Sequence, residues 1–263
     1  MSVVSDIQGK KGKEPIVMLT AYSAPTAAVC RIAEVDIILV GDSLAMTFLG
    51  MDSTLEIGVE EMSLFVSAVR RGAGDLFVVA DMPFGSYGIS DEKSVENALV
   101  FVKKAGANAV KLEGAEDKII SAVKAMRAVG IEVMGHIGLT PQSLVNRSGF
   151  KVQGRLDEGR KRILEDGRKL QDAGCFSIVL ECVPEPLGKE LADSLSIPVI
   201  GIGAGRYVDG QVLVFDDVVG GFEKFKPKFV KAYGSVWEEY LSSARKYAAD
   251  VRSGKFPSEG NVY

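Results

Sequence analysis

Eight short apolar runs, separated by stretches of helical periodicity, constrain this chain more than any other feature. They fall at 16–22, 36–42, 77–83, 109–113, 133–138, 177–183, 198–202 and 211–215. A short apolar run bounded by turns reads as a strand covered on both faces, and such strands usually lie parallel in one sheet. The intervening segments read as helices. Residues 24–34 form a short one, and residues 59–72 carry Val59, Met62, Phe65, Val66 and Val69 at helical spacing. Segments 93–106, 117–129 and 158–173 stop at Gly106, Gly130 and Gly174, and 185–195 is a further short helix. Residues 227–252 read as a tail helix with Phe229, Tyr233, Trp237, Tyr240 and Leu241 on one stripe. Eight strands alternating with helices over 263 residues predict an α/β fold, a (β/α)8 TIM barrel, with a doubly wound open sheet as the alternative. No linker or composition break divides the chain, so one domain is expected over 1–263, ending in the C-terminal helix. Long loops are expected at 43–58 and 140–157, where α/β proteins often place function.

Composition narrows the function classes. With 47% hydrophobic and 25% charged residues and a net charge of −4, the chain reads as an ordinary globular protein rather than a nucleic-acid binder. The locally basic Lys224, Lys226, Lys228 and Lys231 read as solvated surface or a subunit contact. No apolar run approaches the roughly 20 residues that span a bilayer, and Met1-Ser2-Val3-Val4-Ser5-Asp6 does not resemble a secretory leader. The three cysteines, Cys30, Cys175 and Cys182, lack metal-binding spacing and are expected as reduced, buried thiols of a cytoplasmic protein. His136 is the one histidine, which excludes a histidine-rich zinc site.

Four of the apolar runs end in a carboxylate: Asp42, Asp81, Glu113 and Glu181. In a parallel sheet these ends share the carboxyl edge. Four acids there repel one another unless a cation or a shared proton is present. Side chains alternate across a strand. Val40 and Asp42 are therefore expected on one face, as are Val79 and Asp81, Lys111 and Glu113, and Val179 and Glu181. His136, at the end of the fifth run, joins them at the barrel mouth. Asp42, Asp81 and Glu113 offer hard oxygen ligands that suit Mg²⁺ better than Zn²⁺. A 2-oxo acid would complete such a site, and Lys111 would add positive charge beside a developing oxyanion. Glu181, on another strand, is the candidate general base. Gly201-Ile202-Gly203-Ala204-Gly205 lacks the lysine of a phosphate loop and reads as close backbone approach at the mouth.

Several stretches resemble one family across nearly the whole chain. They include Val40-Gly41-Asp42-Ser43-Leu44, Val79-Ala80-Asp81-Met82-Pro83-Phe84, Val110-Lys111-Leu112-Glu113-Gly114, Gly135-His136-Ile137-Gly138-Leu139-Thr140-Pro141-Gln142 and Leu180-Glu181-Cys182-Val183-Pro184. The sequence is similar to the ketopantoate hydroxymethyltransferases. The resemblance implies a TIM barrel that moves a one-carbon unit from 5,10-methylenetetrahydrofolate, or a related pterin, to 3-methyl-2-oxobutanoate. The product would be 2-dehydropantoate, in the first committed step of pantothenate synthesis. It implies Mg²⁺ on Asp42, Asp81 and Glu113, substrate contacts from Asp42, Ser43, Asp81 and Lys111, and Glu181 as proton acceptor. It also implies a large homo-oligomer, a decamer, with small molecules as its other partners and neither nucleic acid nor membrane among them.

The chain departs from the family pattern at Ser23, Ala45, Met51 and the pair Asp216-Asp217. Two other readings stand beside this one. A Mg²⁺-dependent lyase or mutase of the phosphoenolpyruvate mutase/isocitrate lyase type would use a similar barrel edge without a pterin. A barrel that only binds a ligand would turn over no 2-oxo acid.

Overall fold

The structure is a computed structural model that describes residues 3–142, 151–221 and 227–263. Its contacts group into two compact units, Met1–Val214 and Phe215–Tyr263. The first unit holds eight strands: β1 (Ile16–Thr20), β2 (Ile37–Val40), β3 (Phe77–Asp81), β4 (Ala109–Glu113), β5 (Glu132–Gly138), β6 (Ser177–Glu181), β7 (Val199–Ile202) and β8 (Gly210–Leu213). They pair in that order, and β8 returns in parallel to β1 to close a barrel. The open-sheet alternative is thereby removed.

Around the strands lie α2 (Ala24–Ile32), α4 (Val59–Ala73), α5 (Asp91–Leu99), α6 (Asp117–Ala128), α7 (Asp157–Ala173) and α8 (Glu185–Ser194). Each has a sequence cause. In α4, Met62, Val66, Val69 and Ala73 are the buried stripe. At the start of α2, Ser23 accepts a hydrogen bond from the Thr26 N–H. Serine is a favoured helix cap, so Ser23 starts α2 in the ordinary way. Helix α5 runs on into one π turn over Val100–Lys104. The β7–β8 connection carries no helix, so the β-α alternation lapses there.

The barrel interior is filled by alternate residues of its strands. Ile16, Met18, Ile37, Leu39, Phe77, Val79, Ala109, Met134, Val179, Ile200 and Val212 form one buried cluster with Phe176 and Ile7. Phe77 and Phe176 meet edge to face at 5.5 Å. Ile7 comes from α1 (Val4–Gly9), a helix too short and too polar to be foreseen from periodicity. The next residue, Gln8, donates to the Phe176 carbonyl just ahead of β6, so α1 lies at the amino-terminal end of the barrel.

Three expectations need correction. The 43–58 loop contains α3 (Leu44–Thr47) and a 3₁₀ turn over Thr54–Glu56, because Ser53 caps that turn. Ala45 is buried within α3. The tail helix does not run from 227. In the second unit, α9 (Phe215–Val219) is followed by irregular chain at 227–235, and α10 covers only Val236–Arg252. Phe229 and Tyr233 therefore lie off the helix. Gly234 precedes its cap at Ser235, and the Tyr233 N–H is spent on the Val218 carbonyl. Residues 143–150, in the predicted 140–157 loop, and Lys224 and Lys226 fall outside the described residues. Finally, the parity assigned to Asp42 fails, because Leu39 rather than Val40 joins the interior cluster.

Helices α2 and α4 approach so closely that a Cβ on Gly72 would lie 2.0 Å from the Ala24 carbonyl oxygen. Gly72→Ala is expected to destabilise by about 1–3 kcal/mol, the usual cost of overpacking. Gly9→Ala, with no atom within 4 Å of the added carbon, should stay within about 0.5 kcal/mol of wild type. Urea denaturation of the two variants checks the contrast.

Candidate functional site

Strand register builds the site. Asp81 on β3 pairs with Lys111 on β4, and Glu113 pairs with His136 on β5. In parallel strands such partners lie side by side, and all four side chains face inward with Val79, Ala109 and Met134 below them. The contacts follow. Lys111 Nζ is 2.7 Å from Asp81 Oδ1, both side chains only 4% exposed. His136 Nδ1 is 3.2 Å from Glu113 Oε1. His136 Nε2 is 3.2 Å from Oε2 of Glu181 on β6, whose side chain is the most open of this group at 14%.

Asp42 reaches the same place by another route. Beyond the end of β2 the chain turns, and the Asp42 N–H donates to Asp81 Oδ2 at 3.1 Å. Ser43 shares a 2.9 Å hydrogen bond with the Tyr22 hydroxyl at the end of the β1 segment. The structure thus brings Asp42, Asp81, Lys111, Glu113, His136 and Glu181 together at the carboxyl-terminal mouth, with Ser43 beside Asp42.

Two residues at this mouth were not singled out from the sequence. Gln142, 4% exposed, donates from Nε2 to Asp42 Oδ2 at 2.8 Å and to the Met82 carbonyl at 3.0 Å. Its backbone N–H donates to Glu113 Oε2 at 2.9 Å. Tyr87 donates its hydroxyl hydrogen to Gln142 Oε1 at 2.7 Å and accepts from the Glu113 N–H at 3.1 Å. Both lie in loops, where no strand or helix periodicity marks a side chain as inward. The one available signal was an amide directly after Thr140-Pro141.

The charges are unevenly compensated. Burial, then the charges of Asp81 and Glu113, push the Asp42 carboxyl up to about 8. Burial also raises Asp81, against the pull of Lys111. Burial would raise Glu113 too, but His136 and Lys111 outweigh it and hold that carboxyl below its ordinary value. Burial and Lys111 both lower His136, yet Glu113 and Glu181 prevail and lift it to about 9. The two carboxylates, one beside each nitrogen, favour the protonated ring. Lys111 Nζ also lies 3.3 Å from Nδ1, a contact whose donor and acceptor depend on the imidazole tautomer. Lys111 itself is raised, the surrounding carboxylates overcoming its burial. Asp81 Oδ1 has the Lys111 charge beside it but no aligned hydrogen bond. Among the described residues, no three His, Cys, Asp or Glu side chains are arranged to hold a metal ion as they stand. Asp42, Asp81 and Glu113 each accept a hydrogen bond from a protein N–H instead, while His136 Nε2, beside Glu181, has no aligned partner among the described residues.

Other expectations resolve separately. All three cysteines are free thiols. Cys30 and Cys175 are buried, but Cys182 is only half-buried and has a φ of +50° immediately after Glu181. Gly205 has a φ of +84° and a Cβ there would meet Glu185 at 2.5 Å, which fits close backbone approach in the GxGxG stretch. Among the described residues, no helix is long and apolar enough to cross a membrane.

Comparisons with known proteins bear on the fold and the family. Among solved structures of the same fold, a phosphonopyruvate hydrolase crystallised with oxalate and Mg²⁺ superposes with a TM-score of 0.63 at 12% identity, over 99% of this chain and 93% of its own. A 2,3-dimethylmalate lyase of the phosphoenolpyruvate mutase/isocitrate lyase superfamily superposes at 0.61 with 13% identity, over 100% and 93%. At such identities these show the fold alone. In sequence, the chain is 52% identical to the 3-methyl-2-oxobutanoate hydroxymethyltransferase of Thermosipho africanus, over 99% of this chain and 97% of the relative. It is 49% identical to that of Thermotoga maritima, over 99% and 96%, and 47% identical to that of Geobacillus kaustophilus, over 97% and 91%. The sequence model of one family matches residues 2–259. On the barrel, its mouth and these matches together, the chain belongs to the ketopantoate hydroxymethyltransferase family.

Proposed function

We propose that the mouth of the barrel binds 3-methyl-2-oxobutanoate with Mg²⁺ and adds to it a one-carbon unit carried by 5,10-methylenetetrahydrofolate or a related pterin. Hydroxymethyl transfer to that oxo acid, the first step of pantothenate biosynthesis, is what the family's name describes. The observation that carries the reading is the imbalance of acids over bases: four carboxylates, those of Asp42, Asp81 and Glu113 buried and that of Glu181 14% exposed, gather around two basic side chains, Lys111 and His136. A divalent cation fits that donor set in kind and in charge.

Asp42, Asp81 and Glu113 would hold the ion. When bound, Mg²⁺ supplies Lewis-acid charge to the keto oxygen as the neighbouring carbon loses its proton. The other steps belong to the protein. Lys111, held by Asp81, sets a fixed positive charge at the floor of the site, where it favours an anionic substrate. Glu181 takes the proton from the third carbon of the oxo acid. His136, 3.2 Å from Glu181 Oε2, orients that carboxylate. Ser43, steadied by Tyr22, contacts the substrate carboxylate. The carbon freed of its proton then bonds to the methylene carbon as the first of that carbon's two bonds to pterin nitrogen opens. Water replaces the second, its oxygen becoming the product hydroxyl. The carrier leaves as the tetrahydropterin, with the C3 proton and the water's other hydrogen on its two nitrogens.

Assembly and location belong to the same proposal: a homodecamer in the cytoplasm. Supporting an assembly, α10 buries none of its residues, and Trp237, Tyr240 and Tyr247 are 39%, 68% and 60% exposed. Light scattering should give a mass ten times that of the chain. A monomeric mass overturns the assembly.

Glu181→Gln is expected to keep oxo-acid binding and to lose exchange of the substrate's C3 proton with solvent by about 10²–10⁴-fold. NMR in D₂O reads this directly, and full exchange in the variant removes Glu181 from the role. Chelation with EDTA, or Asp81→Ala, should abolish turnover and weaken oxo-acid binding. Turnover that is unchanged in excess EDTA rejects the metal, and turnover without any pterin favours the lyase or mutase reading instead.

A further inference from the structure

Gln142 and Tyr87 take no part in the chemistry just described, yet both are tied into the acid cluster. The direction of their hydrogen bonds can be worked out without ambiguity. A backbone N–H only donates, so the bond from Glu113 N–H occupies a lone pair of the Tyr87 oxygen. The Tyr87 hydrogen must then point elsewhere, and the group 2.7 Å away is Gln142 Oε1. That contact rules out the flipped amide, since an NH₂ there would face the hydroxyl hydrogen. At the far end the Met82 carbonyl only accepts, and it too demands the NH₂ group. Two independent fixed groups therefore orient one amide. Its second N–H is delivered to Asp42 Oδ2.

Asp42 needs that donor more than the other acids do. Lys111 is engaged with Asp81, and His136 with Glu113 and Glu181. Gln142 also reaches Glu113 Oε2 through its own backbone. It thus spans two carboxylates that leave the barrel from β2 and β4, and it holds them in a fixed relation.

We propose that Tyr87 and Gln142 are positioning residues, a one-way hydrogen-bond relay from the Glu113 backbone to Asp42 that prepares Asp42 and Glu113 to receive a divalent cation. The proposal rests on the reading of Asp42, Asp81 and Glu113 as the Mg²⁺ site. Outer-shell partners of this kind typically govern metal affinity by 10–100-fold. A relay also makes a statement that independent contacts do not: Tyr87 acts on the metal only through Gln142.

Titration calorimetry with MgCl₂ on the full-length wild type, Tyr87→Phe, Gln142→Leu and the double variant tests this, with melting curves recorded alongside. Each single variant is expected to weaken Mg²⁺ binding by about 10–100-fold. Adding Tyr87→Phe to Gln142→Leu should change the affinity by less than about two-fold. Three outcomes count against the proposal. If wild type takes up no Mg²⁺, the metal reading fails and the relay with it. If wild type binds Mg²⁺ and the single variants bind equally well, the relay alone fails. If the two losses multiply, the residues act separately and the relay is overturned. Should Gln142→Leu not fold, Tyr87→Phe removes a single oxygen and still decides the matter: wild-type affinity in that variant rejects the relay.

Discussion

A lysine sealed inside a barrel must have a carboxylate beside it, and the register of β3 against β4 supplies one. The Lys111–Asp81 pair is the contact from which the rest of the site is arranged. Removing either partner would leave a buried charge uncompensated, a cost of about 3–5 kcal/mol. Once Asp81 is committed to Lys111, its other oxygen is free to take the Asp42 N–H, and this draws the chain leaving β2 into the mouth. One step around the barrel, the same register argument sets Glu113 against His136. His136 in turn has a second nitrogen to offer Glu181. The site is a chain of pairings in which each residue's spare atom recruits the next.

That arrangement leaves an excess of negative charge. Buried carboxylates close together resist ionising in concert, and burial with the neighbouring acid charges pushes Asp42 up to about 8 and raises Asp81 as well. On the proposed function, a mouth built in this way would favour a cation and an anionic substrate bound together over either one bound alone. An oxo acid without the cation would meet repulsion from the acids. A cation without the oxo acid would leave Lys111 facing nothing but protein.

Much of this was legible in the sequence, and the boundary of what was legible has a physical cause. Alternation along a strand predicted the inward placement of Asp81, Lys111, Glu113, His136 and Glu181, because each lies within the ladder where that rule holds. It failed for Asp42, which lies two residues past the end of β2; its inward placement follows from a turn and a hydrogen bond, and the parity inferred for Val40 was wrong. Tyr87 and Gln142 were illegible for a stronger reason. They stand in loops, and their partners are 26 to 100 residues away in sequence. The tail helix was overextended because the aromatic stripe was read through Pro227 and Gly234, while the Tyr233 N–H is taken by the Val218 carbonyl ahead of it.

The short helix at the amino-terminal end has a consequence for traffic. With Ile7 joined to the interior cluster, the amino-terminal end of the barrel is stoppered. Whatever reaches Lys111 must pass the acids at the mouth on the way in and again on the way out. On the proposed function, a small reactant lodged at the floor would have to arrive before a bulky donor covered it, and its product would leave only after that donor had gone. A doorway shared in this manner turns the depth of the site into a sequence of events.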